Sequence, residues 1–171
     1  MIEDPTFHPT TVLCDAGLMT LRDTWKSWQV GQLIPPRSAF DPIAFPRQLP
    51  LMKLTEVLRE PNQIRSYDVV IRYMGTGWTE LFNAAHLTNT KISDLGPIYG
   101  ERWFSFYDRV IAARAPVTVR GAPFGVDKEF LGFEMLGLPL SKTGDSVDYV
   151  LGVVALLPRS RSSDGYLPSA E

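Results

Sequence analysis

The chain has 171 residues, 44% of them hydrophobic and 21% charged, with a formal net charge of −2 and a sequence pI near 5.7. That length suits one domain with extensions, burying roughly two-thirds of its unfolded surface. The charge balance excludes non-specific nucleic-acid binding, which needs a dense field of Lys and Arg, and no apolar run approaches the roughly 20 residues that cross a bilayer.

The start, Met1-Ile2-Glu3-Asp4-Pro5, is acidic and lacks the basic end and apolar core of a signal peptide, so a cytoplasmic location is the expectation. Residues 1–17 hold two prolines and several Thr and read as an irregular arm. The single cysteine, Cys14, cannot close an internal disulfide or build a zinc site alone, and reads as a small packing residue. From Leu18 onward the spacing of Leu18, Leu21, Trp25 and Trp28 predicts one apolar helix face, with Gly31 placed to end the helix. That stripe packs either on the domain itself or on a second copy of the chain. Residues 34–50 carry five prolines and predict a strap of one or two short turns, starting at the Asp41-Pro42 cap and fastened by Phe40, Phe45 and Leu49.

A strand is predicted from Leu54 to Arg59, a turn at Pro61-Asn62-Gln63, and a second strand over 67–74 that pairs with the first as a hairpin. The β-branched run Val69-Val70-Ile71 stops at Gly75-Thr76-Gly77, and helical spacing (Trp78, Leu81, Phe82) begins at once. Helix is predicted from Trp78 to Ala84, briefly near Ile92 to Leu95, and from about Tyr99 to Arg114, where Trp103, Phe106, Tyr107, Val110 and Ile111 form an amphipathic stripe that Pro116 ends. Three strands complete the pattern: Val117 to Phe124, Phe130 to Leu140 and Val147 to Leu157, with a glycine-containing turn at Ser141 to Asp145. Residues 159–171 offer little to bury and read as a disordered tail.

This order, with the tracts Ile71-Arg72-Tyr73-Met74-Gly75-Thr76, Glu80-Leu81-Phe82, Leu87-Thr88 and Ile92-Ser93-Asp94-Leu95, resembles the PAS superfamily. More narrowly, it resembles short single-domain bacterial PAS proteins with an N-terminal extension carrying Trp, Pro-x-Arg, Phe-Asp-Pro and Leu-Pro. Here those match Trp25 or Trp28, Pro35 to Arg37, Phe40-Asp41-Pro42 and Leu49-Pro50, and Glu134 with Leu138-Pro139-Leu140 and Gly144 matches the C-terminal end. The resemblance covers roughly residues 20–158. It implies an α+β fold, a five-stranded antiparallel sheet in the order β-β-α-α-α-β-β-β over 53–158, preceded by the helix and strap of 18–52. Two departures fall on the rim: Asn83-Ala84-Ala85-His86, where the branch has a glycine, and Leu87-Thr88-Asn89, where it has Leu-Thr-Gly. Asn tolerates positive φ best among the other residues, so the turn is expected to survive.

A PAS sheet curls around its helices over a space that takes haem, flavin, a small acid or nothing. A photoactive flavin needs a cysteine beside the ring, and Cys14 lies in the arm; haem commonly needs a histidine on the long helix, which has none, so both cofactors are disfavoured and the ligand is left open. His86 reads as a loop histidine rather than a ligand. No Ser–His or Cys–His pairing with an orienting carboxylate is visible, and Gly75-Thr76-Gly77 lacks the rest of a phosphate loop, so no catalytic residue is assigned. An enzyme built around His86 and Asp94 is the least favoured reading. Glu134 shares strand parity with Leu136, Leu138 and Leu140. If those face the core, it faces inward with Arg72 or Arg120 as its cation, as a polar contact in a ligand pocket. The favoured alternatives are a strand-end ion pair or the opposite parity, with Phe133 and Met135 inside. Trp78, Phe82, Trp103, Phe104 and Tyr107 either line a cavity or fill the core. The candidate ligand residues are therefore Arg72, Trp78, Phe82, Trp103, Tyr107, Arg120 and Glu134, and the candidate dimer interface is Leu18, Leu21, Trp25 and Trp28. The expected function is a non-catalytic sensory or regulatory module of bacterial signalling, acting on a small molecule, a homodimer or a signalling protein. A scaffold with a filled core is the alternative.

Overall fold

The computed structural model describes residues 8–10, 12–60, 65–82, 87–121 and 131–158. The expectations for the 159–171 tail, the Pro61-Asn62-Gln63 turn and Asn83 to His86 fall outside them. Strands β1 (His8–Thr10), β2 (Met52–Leu58), β3 (Asp68–Met74), β4 (Val117–Gly121), β5 (Leu131–Leu140) and β6 (Tyr149–Pro158) form one sheet in the order β1-β4-β5-β6-β2-β3. Every pairing is antiparallel. The α+β class, the β2–β3 hairpin and the run of three C-terminal strands agree with the sequence reading. The sheet has six strands rather than five because the arm is not wholly irregular: His8 to Thr10 pair with Arg120 to Thr118 and cover the outer edge of β4. Pro9 is tolerated there because an edge strand has no further neighbour to receive its missing N–H.

Both faces of the sheet are covered, and strand parity sorts the core into two layers. On one face Val57, Val69, Ile71, Phe133, Met135, Val150 and Val154 pack under helices α2 (Thr76–Phe82) and α3 (Gly96–Ala113) and the short turn Ile92–Leu95. On the other, Met52, Leu54, Leu136, Leu138, Leu140, Leu151 and Val153 pack under helix α1 (Ala16–Ser27) and the proline strap. Helix α3 begins three residues before the expected Tyr99, with Pro97 in its first turn, and ends at Arg114, whose φ of 51° is left-handed, two residues before Pro116.

Helix α1 starts where Asp15 caps it, its carboxylate accepting from the Leu18 N–H at 2.9 Å. It stops at Trp28; Gly31 does have a positive φ of 70°, but lies beyond the cap. Leu18, Leu21 and Trp25 are buried against the chain's own sheet, and the Trp25 indole donates to the Pro139 carbonyl at 2.7 Å. Trp28 is partly buried against Phe40 and Phe45. The stripe read as a candidate dimer interface is thus occupied within one chain. Burying each of these side chains contributes about 1.5–3 kcal/mol, so a second copy would have to displace a seat already filled.

The strap makes three short 3₁₀ turns, Arg37–Ala39, Pro42–Ala44 and Leu49–Leu51, rather than one or two. Asp41 caps the second as expected, accepting from Ile43 N–H at 3.0 Å, and Phe40, Phe45 and Leu49 fasten the strap to the α1 layer. Asn89 keeps its turn with φ of 65°, donating its N–H to the Ile71 carbonyl at 2.7 Å.

Candidate functional site

The six candidate residues other than Phe82 named for their polarity or ring character do not converge on one place. Arg72 lies on the surface, bound to Glu56 at 2.8 Å and to the Asn89 side-chain carbonyl at 3.3 Å. Glu134 does face inward, fully buried, and Arg120 is its partner at 2.9 Å. Their face is the α1 side of the sheet, however, opposite α2 and α3. There the Glu134 carboxylate accepts the backbone N–H groups of Cys14 and Asp15 at 2.9 Å, and Arg120 donates to the Val12 carbonyl at 2.7 Å. This cluster holds the segment that leads into α1. It is a structural clasp, and the assignment of Arg72, Arg120 and Glu134 to a common ligand pocket is corrected accordingly.

Trp78, Phe82, Trp103 and Tyr107 do converge, on the other face, around a residue that the sequence reading passed over. Three elements each supply two side chains at their natural repeat: Lys53 and Thr55 from β2 (i, i+2), Trp78 and Phe82 from α2 (i, i+4), Trp103 and Tyr107 from α3 (i, i+4). The Lys53 Nζ lies 3.4 Å from the Trp103 ring centroid, 4.4 Å from Trp78 and 5.8 Å from Tyr107. Phe82 stacks on Trp78 at 5.1 Å between centroids and meets Trp103 and Phe133 edge-on. Trp78 is itself oriented by its indole N–H, which donates to the Leu51 carbonyl. Phe82 and Trp103 are only partly buried and form the outer wall, whereas Lys53, Thr55, Trp78 and Tyr107 form the floor.

Lys53 is 2% exposed, and among the described residues its Nζ makes no hydrogen bond and no ion pair. Ring contacts of this kind contribute about 2 kcal/mol to a desolvated cation. Desolvating an ammonium costs several kcal/mol, which exceeds that. Burial therefore wins, and the Lys53 amine is held well below its usual value of 10.5. The Tyr107 hydroxyl is likewise fully buried with no hydrogen-bond partner of ordinary geometry. It faces Thr55, whose own hydroxyl donates to the Val150 carbonyl at 3.1 Å. Burial pushes the phenol above its ordinary value, Thr55 pulling weakly the other way. A buried amine with no hydrogen bond and a buried phenol with no ordinary partner sit under one set of rings. Unpaired buried polar groups cost about 1–3 kcal/mol each and call for an explanation.

The strand reading that began at Leu54 excluded Lys53 by one residue. The signal was present in Met52-Lys53-Leu54-Thr55-Glu56-Val57, where Lys53 and Thr55 alternate into register with core-facing Val57. Of the residues named for an enzyme reading, Asp94 is exposed and His86 lies outside the described residues, while the neighbouring Ser93 donates its hydroxyl to Asp68 at 2.6 Å. Among the described residues no group of His, Cys, Asp or Glu is arranged to hold a metal ion, and no helix is long and apolar enough to cross a membrane. An open groove between the strap and the β5–β6 turn is lined by Pro36, Arg37, Ser141, Lys142 and Tyr149, but its lysine is engaged by Glu56 at 2.9 Å.

No protein-family model matches the sequence, and no curated protein or solved structure matches it either.

Proposed function

We propose that this chain is a non-catalytic, PAS-like sensory or regulatory module that binds a small molecule between its sheet and helices α2 and α3, and that it acts through a protein partner. The element order supports the PAS-like reading: two paired strands, short helical pieces, one longer helix and three antiparallel strands. The observation that carries the binding reading is the buried Lys53 amine over the Trp78 and Trp103 rings, together with the unpartnered Tyr107 hydroxyl, beside Phe82. Concave apolar sites with a few convergent polar groups are where small molecules bind. With α1 seated on its own sheet, contact with a signalling partner or a second copy falls to other surfaces.

Comparing native with denaturing mass spectra of the purified protein, followed by a thermal-shift panel of small metabolites, tests this reading. A retained or added mass, or a stabilising shift that Lys53→Met abolishes, is the expected result. A ligand-free protein with no shift from any compound would leave the filled-core scaffold as the reading that fits.

A further inference from the structure

We infer that Lys53 captures a small aldehyde or ketone as a Schiff base, with Tyr107 as the proton donor. The inference rests on the reading above that the aromatic box admits a small molecule, and it names the chemical class. An anion is a poor occupant: the Lys53 Nζ sits over ring faces, at 3.4 Å for Trp103 and 4.4 Å for Trp78, and those faces are the negative ends of the ring quadrupoles. A cation is equally unsuited, because the Lys53 amine already occupies the ring faces that would receive it. A neutral carbonyl compound matches both unsatisfied groups. Its carbon accepts the amine lone pair, and its oxygen accepts the phenolic hydrogen bond that Tyr107 has no other partner for.

Desolvated lysines are the ones that form Schiff bases, since only the free amine is a nucleophile. Burial shifts Lys53 toward that form, and burial also favours the protonated Tyr107 phenol. The step balances without an oxidant or reductant. The Lys53 nitrogen bonds to the carbonyl carbon while the C=O π pair moves to oxygen, which takes the Tyr107 proton; one nitrogen proton returns to the phenolate. The carbinolamine then loses its hydroxyl as water with the same Tyr107 proton, and the second nitrogen proton restores the phenol. The products are one imine and one water. The half-buried Phe82 and Trp103 wall is the side through which the probe enters and water leaves.

The test uses the full chain with butyraldehyde and with 2-butanone at limiting concentration, trapped with sodium borohydride and mapped by peptide mass spectrometry. One reduced adduct on Lys53, at least tenfold above Lys26, Lys91 and Lys142, is the expected result. Tyr107→Phe, with unfolding midpoint checked, should slow trapping at least fivefold without moving the adduct to another lysine. Labelling spread over the accessible lysines with Lys53 unmodified overturns the Schiff-base assignment. If the same protein still shows Lys53-dependent thermal shifts with non-carbonyl compounds, the binding reading stands without it. Failure of both labelling and binding removes both. The wild-type peptide map decides the question even where a variant fails to fold.

Discussion

Gly75→Ala is expected to destabilise the protein by about 3 kcal/mol or more, at the upper end of what overpacking costs. Gly75 is where β3 turns into α2, and its N–H holds the Met52 carbonyl at 2.9 Å while its own carbonyl receives the Trp78 N–H. A Cβ there would stand 2.2 Å from the Pro50 carbonyl oxygen, 2.5 Å from the Pro50 carbonyl carbon and 2.6 Å from the Leu49 oxygen. All are backbone atoms of the strap's last turn, and moving that turn would pull Leu49 from the α1 layer and Leu51 from the helix layer. Gly77→Ala provides the contrast. Its nearest neighbour is a methyl of Leu51 at 2.7 Å, the far end of a flexible side chain, the Pro50 carbonyl oxygen stands farther off at 3.0 Å, and alanine within α2 regains about 1 kcal/mol of helix propensity. Urea unfolding should therefore place Gly77→Ala within about 1 kcal/mol of wild type and Gly75→Ala far below it. The reverse order would mean that the strap does not lie against this turn.

Glu134→Gln is expected to cost about 2–3 kcal/mol and to free the segment before α1. The carboxylate's partners are all donors: the Cys14 N–H at 3.0 and 2.9 Å, the Asp15 N–H at 2.9 Å, and Arg120 Nε and Nη2 at 3.0 and 2.9 Å. A carboxamide turns one acceptor into a donor, so an N–H₂ group would face donors inside a fully buried site. Arg120 is about a third exposed and recovers water contacts, which keeps the loss moderate. The Cys14 and Asp15 amides should lose protection in hydrogen exchange ahead of the sheet. A change under 0.5 kcal/mol with those amides still protected would show that α1 is seated by apolar packing alone.

The parts of the fold that were legible in the sequence are those decided by local physics. The Asp41-Pro42 cap, the stripe on α3, the hairpin turn with Gly144 at φ of 97° and the left-handed Asn89 each follow from a few adjacent residues. The candidate site was half legible. Trp78, Phe82, Trp103 and Tyr107 announced themselves as a cluster of rings, and parity turned Glu134 inward as observed but did not say toward which layer, for a physical reason. Because helices cover both faces of this sheet, Leu136, Leu138 and Leu140 and their neighbours Phe133 and Met135 are all buried, and facing inward does not say toward which layer. Lys53 was missed because the first residues of β2 are extended by long-range pairing with Gly152 and Val153, which no local pattern reveals. The strand β1 depends in the same way on the distant edge of β4.

The central claim is that Lys53 is a buried, unpaired amine available to a ligand, and the pH dependence of its contribution to stability tests it most directly. Its folded pKa lies below the unfolded value of 10.5, so between the two the unfolded chain binds more protons and stability rises with pH. Below the folded value the penalty is constant, and above 10.5 it is gone. Urea unfolding of wild type and Lys53→Met, run in parallel from pH 7 to 10, removes the contributions of Tyr67 and Tyr107 by subtraction. The account predicts that Lys53→Met is the more stable protein at pH 7 and that its advantage is smaller at pH 10. An advantage that is absent at pH 7, or that does not change with pH, would contradict it.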